Sequence, residues 1–96
     1  MSEQLNLPGI DPDWDLRKAA DEALAECLRA SQNWPPFNSA HEGYAILAEE
    51  VDELWDQVKV NQKRRDIDKM RSEAIQVAAM ALRFAVDVCD GGRGRV

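Results

Sequence analysis

The stretch Ala48–Gln57, AEEVDELWDQ, decides the fold. Leu54 and Trp55 follow Val51 at the three- and four-residue spacing of one helical face, and Tyr44, Leu47 and Val58 extend the same apolar stripe. At about 100° per residue, Glu49, Glu50 and Glu53 fall within about one third of the circumference, beside that stripe. Glu42, Ile46 and Gln57 lie along the same edge. Like charges on one edge weaken an isolated helix, so the arrangement makes physical sense where a cation or strong donors face it.

Just upstream, Ser39 with Glu42 three residues on forms a capping box that starts this helix near Ala40. Gly43 costs a helix about 1 kcal/mol relative to alanine. Close approach by another backbone or a ligand would account for it. Before the cap, Asn33-Trp34-Pro35-Pro36-Phe37 bars helix, since proline lacks the N–H and restricts the residue before it. Trp34 and Phe37 either cap the end of a small core or offer a stacking wall to a base. Further back, Leu16, Ala19, Ala20, Ala23, Leu24, Cys27 and Leu28 recur at the spacing of one buried face. On that reading Asp15, Lys18, Glu22, Glu26 and Arg29 point mostly outward, and the first helix is packing rather than chemistry. Asp11 and Pro12 suit its N-cap and first turn. Residues 1–10 carry no periodicity and read as a flexible arm.

Downstream, KVNQKRRDIDK between Lys59 and Lys69 loses the apolar period and becomes basic at Lys63, Arg64 and Arg65. It is either a solvated connection or a segment that leans over phosphates. Asp66 or Asp68 then caps a third helix running roughly from Lys69 to Cys89, apolar almost all round. A helix without a polar face is usually surrounded, and so short a chain can hardly surround it, which implies an interface between copies. Its polar interruptions, Glu73, Gln76, Arg83 and Asp87, share one stripe. Gly91 and Gly92 end the helix and leave 91–96 as a flexible tail.

These elements make one all-α domain over residues 11–90: an antiparallel helical hairpin plus an N-terminal helix, completed to a four-helix-type bundle by oligomerisation. Ninety-six residues is a length at which sharing a core with a second copy, as dimer or tetramer, helps stability. A net charge of -6 disfavours duplex nucleic acid as partner. No run is long enough to span a bilayer and the first residues lack a signal pattern, so a cytoplasmic setting is expected and no membrane partner. Cys27 and Cys89 make neither a C-x-x-C pair nor a disulfide framework and read as buried reduced thiols.

Glu49, Glu50 and Glu53 on one helix, and Glu73 with Gln76 on the next, are two oxygen-bearing edges that can face each other across the hairpin. Oxygen ligands suit hard cations, and a few carboxylates with retained waters suit magnesium, with manganese the alternative. The single histidine, His41, leaves no Glu-x-x-His pairs for a carboxylate-bridged di-iron site.

A Glu-Glu-x-x-Glu helix, a spacer and a Glu-x-x-Asp helix form the signature of the MazG-like all-α nucleoside triphosphate pyrophosphohydrolases. This chain resembles it at Glu49, Glu50, Glu53 and then Glu73, from Trp34 to Cys89, and looks closest to short phage-type and bacterial members. Gln76 stands where that pattern has an aspartate; its amide oxygen can ligate a cation or hold a ligating water but brings no charge. The resemblance implies magnesium-dependent cleavage between the α and β phosphates, giving a monophosphate and pyrophosphate. It implies metal ligands at Glu50, Glu53, Glu73 and Gln76 and a general base at Glu49. Lys63, Arg64 and Arg83 are candidates for phosphate contacts, and Trp34, Asn38 and His41 for the nucleoside. Two other readings compete with the enzyme: a nucleotide-binding module made catalytically weak by Gln76, and a helical interaction module whose acidic edge is only solvated.

Overall fold

The computed structural model describes residues 12–96. Helix α1 spans Trp14–Asn33, α2 Ala40–Val58 and α3 Ile67–Arg83, and α3 continues into a π-helical segment, Phe84–Asp90. The chain is all-helical, with no strand among the described residues. α3 is the central element, packing against α2 on one side and α1 on the other.

Each boundary has a local cause. The Ser39 hydroxyl accepts from the Glu42 N–H at 3.1 Å, and the Glu42 carboxylate accepts from the Asn38 N–H at 2.8 Å. The capping box thus closes one residue earlier than the standard form, on Asn38. Asp66, rather than Asp68, caps α3 by accepting from the Lys69 N–H at 3.0 Å. Between the helices the basic run forms a short 3-10 turn, Gln62–Arg64, and Arg65 reaches back to the Val58 carbonyl at 2.6 and 3.0 Å. That bond satisfies one of the carbonyls orphaned at the end of α2. At the other end, Asp11 lies outside the described residues. The helix begins at Trp14 with Asp13 in the cap position, so Pro12 precedes it by two residues. The 91–96 segment turns back on the bundle, where the Arg93 N–H donates to the Val88 carbonyl at 2.8 Å and the Ala40 N–H to the Val96 carbonyl at 3.3 Å.

The buried cluster is small: Ala30, Phe37, Ala79, Met80 and Val88, flanked by Cys27, Ala40, Ile46, Leu47 and Phe84. Gly43 faces it. A Cβ there would lie 2.8 Å from Phe84 Cδ2 and 3.0 Å from Phe37 Cδ2, so the glycine is required by two aromatic rings rather than by a backbone or a ligand.

Two expected faces are turned. On α1, Leu16, Leu24 and Leu28 are exposed, and the inner side is instead Ala19, Glu22, Ala23, Glu26, Cys27 and Ala30. Small residues allow close approach to α3 there, and Glu22 forms a bidentate pair with Arg71 across the helices, at 2.7 and 2.9 Å. On α2, Tyr44, Val51 and Trp55 are exposed, at 66, 46 and 57 %. The apolar side of α3 is likewise open at Leu82 and Val86. Cys27 is half-buried and Cys89 exposed, so only the first fits the expected buried thiol. No described helix is long and apolar enough to cross a membrane.

Candidate functional site

Antiparallel pairing of α2 with α3 brings Glu50, Glu53 and Glu73 together, with one carboxylate oxygen from each lying within 4.8 Å of the others. Glu50 and Glu73 are half-buried and Glu53 is exposed. Burial, and then the charges of Glu53, Glu73, Glu49 and Glu26, push the Glu50 carboxyl above its ordinary value. No lysine or arginine among the described residues pairs with any of the three. The described residues therefore gather negative charge at this point without a cationic partner. An all-oxygen donor set of this kind fits a hard divalent cation and offers nothing for a soft one.

Glu50 also belongs to the wall of a cleft of about 420 Å³ enclosed by all three helices and the 34–37 turn. Glu26, which meets the Gln76 amide, and Glu50, whose carboxyl feels Glu49 and Glu26, make its polar end. Arg83, placed over Phe37 and bonded to Pro35, marks its aromatic end, and Trp34, Asn38, Glu42, Ile46 and Met80 also line it. The volume lies in the range of about 300–1,000 Å³ common to small-molecule sites, as does the mixture of apolar walls with a few convergent polar groups.

A buried charge fixes the aromatic end. Arg83, 4 % exposed, donates to the Pro35 carbonyl at 3.0 Å, lies 3.5 Å from Asp87 Oδ2 and places its guanidinium 4.4 Å from the centre of the Phe37 ring. Asp87 in turn accepts from the Phe37 N–H at 3.3 Å. The two prolines leave few backbone donors in this turn, so its hydrogen bonds are met by side chains from α3. The Arg83 Nε is buried without a partner, which in a native fold calls for an explanation. Phe37 is buried and Trp34 is 64 % exposed. Of the two aromatic readings, Phe37 takes the core and Trp34 the open wall.

Glu49, Glu50, Gln76, Trp34, Asn38 and Arg83 therefore line the cleft, and Glu53 and Glu73 join it through Glu50. Asn38 is tied to the Glu42 carboxylate through its amide Nδ2 at 3.3 Å. Three candidates are not brought in: Lys63 and Arg64 sit exposed on the 3-10 turn, and His41 is exposed on the first turn of α2 without lining the cleft. Arg83 is committed to the turn rather than free for a phosphate.

Glu26, expected to point outward, is half-buried and lines the cleft, while Arg29 is exposed as its position on the helix predicts and lines the cleft beside it. The Arg29 guanidinium, which it hydrogen-bonds, holds the Glu26 carboxyl below its ordinary value against the opposing effect of burial, and the Gln76 amide adds to the lowering. The one signal in the sequence was the alanine series Ala19, Ala23 and Ala30, which marks the side of α1 that approaches another helix more closely than its leucines do.

Comparison of the chain with known protein families, curated proteins and solved structures finds no match.

Proposed function

We propose that the cleft is the active site of a magnesium-dependent nucleoside triphosphate pyrophosphohydrolase of the MazG-like kind, with manganese as an alternative cation. The observation that carries this reading is the convergence of Glu50, Glu53 and Glu73 within 4.8 Å, at the polar end of a cleft whose other end is aromatic. In this assignment Glu50, Glu53 and Glu73 hold the cation, and Gln76 holds a water or contributes its amide oxygen. Magnesium supplies charge neutralisation of the polyphosphate and orientation for in-line displacement. Glu49, exposed on the cleft wall beside this group, accepts the proton of the attacking water. Trp34 gives the base a face to stack on, and Asn38 an amide to bond to.

The uncovered apolar residues of α2 and α3 belong to the same reading. Tyr44, Val51 and Trp55 share the face of α2 on which a second copy of this chain would complete a four-helix-type bundle, and Leu82 and Val86 are further uncovered apolar groups. The assembly would work in the cytoplasm.

The test is pyrophosphate release from canonical and damaged nucleoside triphosphates with magnesium. Turnover of at least one is expected, abolished in Glu50→Ala and Glu53→Ala with far-UV circular dichroism unchanged. Full activity in both variants would refute the assignment.

Gln76 favours a second reading, a nucleotide-binding module of the same fold with little or no turnover, because it brings no charge to the polar end. Binding of a triphosphate with magnesium but no pyrophosphate release, together with release by Gln76→Asp, would decide for it. A helical interaction module without ligand predicts that magnesium and nucleotide leave the melting temperature unchanged.

A further inference from the structure

α1 carries two bidentate ion pairs one turn apart, and they differ in what they connect. Glu22 reaches Arg71 on α3 and ties two helices together. Glu26 forms its ion pair with Arg29, three residues on in its own helix, with Nε to Oε1 at 2.9 Å, and meets α3 only through the neutral Gln76 amide. Such a local pair adds little to the stability of a helix. Yet the Glu26 side chain is the more sheltered partner, 17 % exposed against 60 % for Arg29, and both line the cleft that contains Glu50 and Gln76. Along the same wall Arg83, nine-tenths buried, holds an Nε–H with no acceptor. A cleft lined by carboxylates and by the exposed guanidinium of Arg29 is suited to a ligand that brings both a cation and acceptor oxygens.

On the basis of the proposed function, we infer that Glu26 and Arg29 are an exchangeable pair within the site: when cation and polyphosphate enter, Glu26 gives up Arg29 to face the cation beside Gln76, and Arg29 turns to a phosphate oxygen. Glu26 thereby supplies, from α1, the negative charge that Gln76 lacks. In the empty cleft each member neutralises the other, so neither a bare carboxylate nor a bare guanidinium is left beside the acidic group. Occupation divides the pair between the two oppositely charged parts of the ligand. Both are positioned by the alanine face that draws α1 against α3.

The test measures binding of magnesium alone, and of inorganic tripolyphosphate with magnesium, by calorimetry on the full chain. Glu26→Gln should weaken magnesium binding by about tenfold, the lower range for groups that support a metal site from outside its inner ligands. Adding Gln76→Asp to Glu26→Gln should restore it, because the charge returns on the neighbouring position. Arg29→Gln should leave magnesium binding at or above the wild-type affinity and weaken tripolyphosphate. Glu22→Gln, which breaks the structural pair one turn away, should leave both at wild-type values. If Glu26→Gln behaves like Glu22→Gln while Glu50→Gln abolishes magnesium binding, the exchange is wrong and the proposed function stands. If wild-type protein binds neither magnesium nor tripolyphosphate, the proposed function fails and the exchange fails with it.

Discussion

The two sides of the α2–α3 hairpin are built in opposite senses. On the side facing α1, polar groups are covered: Arg83 is buried, Glu50, Glu73, Gln76 and Asp87 are half-buried, and Phe37 is enclosed with them. On the outer face of α2, apolar groups are uncovered: Tyr44, Val51 and Trp55 face out. A lone helical domain gains stability from the reverse distribution, because burying apolar area is the main favourable term and burying charge is costly unless it is paired. On the proposed function, the covered polar side would be the part of the molecule given over to chemistry, and the uncovered apolar side the part that gains stability by association.

The contrast can be broken most severely at its covered side. Phe37→Ala removes a fully enclosed ring and the surface beneath Arg83, and should cost about 3–5 kcal/mol by chemical denaturation. A loss under about 1 kcal/mol would mean that the aromatic turn is not part of the core. Gly43→Ala comes next. The added methyl would meet Phe84 and Phe37 at 2.8 and 3.0 Å, and overpacking of this kind costs about 1–3 kcal/mol.

Glu50→Gln has the opposite sign. A carboxyl whose pKa is raised on folding binds more protons in the native than in the unfolded state across the interval from its ordinary value of 4.5 up to its raised one. Stability contributed by Glu50 is therefore present at acid pH and lost as pH rises through that interval. Removing the charge should raise the melting temperature of the cation-free protein at pH 7 and flatten its pH dependence just above 4.5, as read by differential scanning calorimetry. A lowered melting temperature would show that the carboxylate is already compensated. The smallest effect on the folded chain is expected on the uncovered side. Trp55→Glu should change helix content little and monomer stability by no more than about 0.5 kcal/mol, yet convert the assembly to monomer in sedimentation. An unchanged sedimentation coefficient would remove this face from the interface.

Much of this contrast is legible in the residues themselves. The Ser39 cap, an aspartate cap at Asp66 or Asp68, the break at Trp34 to Phe37 and the stripe Glu73, Gln76, Arg83 and Asp87 rest on local hydrogen-bonding chemistry and on helical spacing, which act within a few residues. The meeting of Glu50 and Glu53 with Glu73 follows from two such helices joined by a short connection. The orientation of α1 does not follow in the same way. Its leucines and its alanines each form a periodic face, and periodicity says which residues share a side without saying what lies opposite. Close packing on α3 and the Glu22 to Arg71 pair favour the alanine side. Glu26, and with it Arg29, is carried into the cleft by that choice. The split between Phe37 and Trp34 is equally non-local, because Phe37 is selected by the bare patch of α2 at Gly43 and by the guanidinium of Arg83.

The π-helical segment that begins at Phe84 makes the two ends of the cleft separately adjustable. A π turn holds one residue more than the α ladder needs, so deleting Ala85 would let the regular ladder run on and rotate everything beyond it by about 100°. Asp87 and Val88 would swing off the aromatic turn, while the glutamates, all N-terminal to the deletion, would keep their register. The shape of the aromatic end could therefore drift over generations by single-codon gains and losses in this segment, with the acidic end left intact.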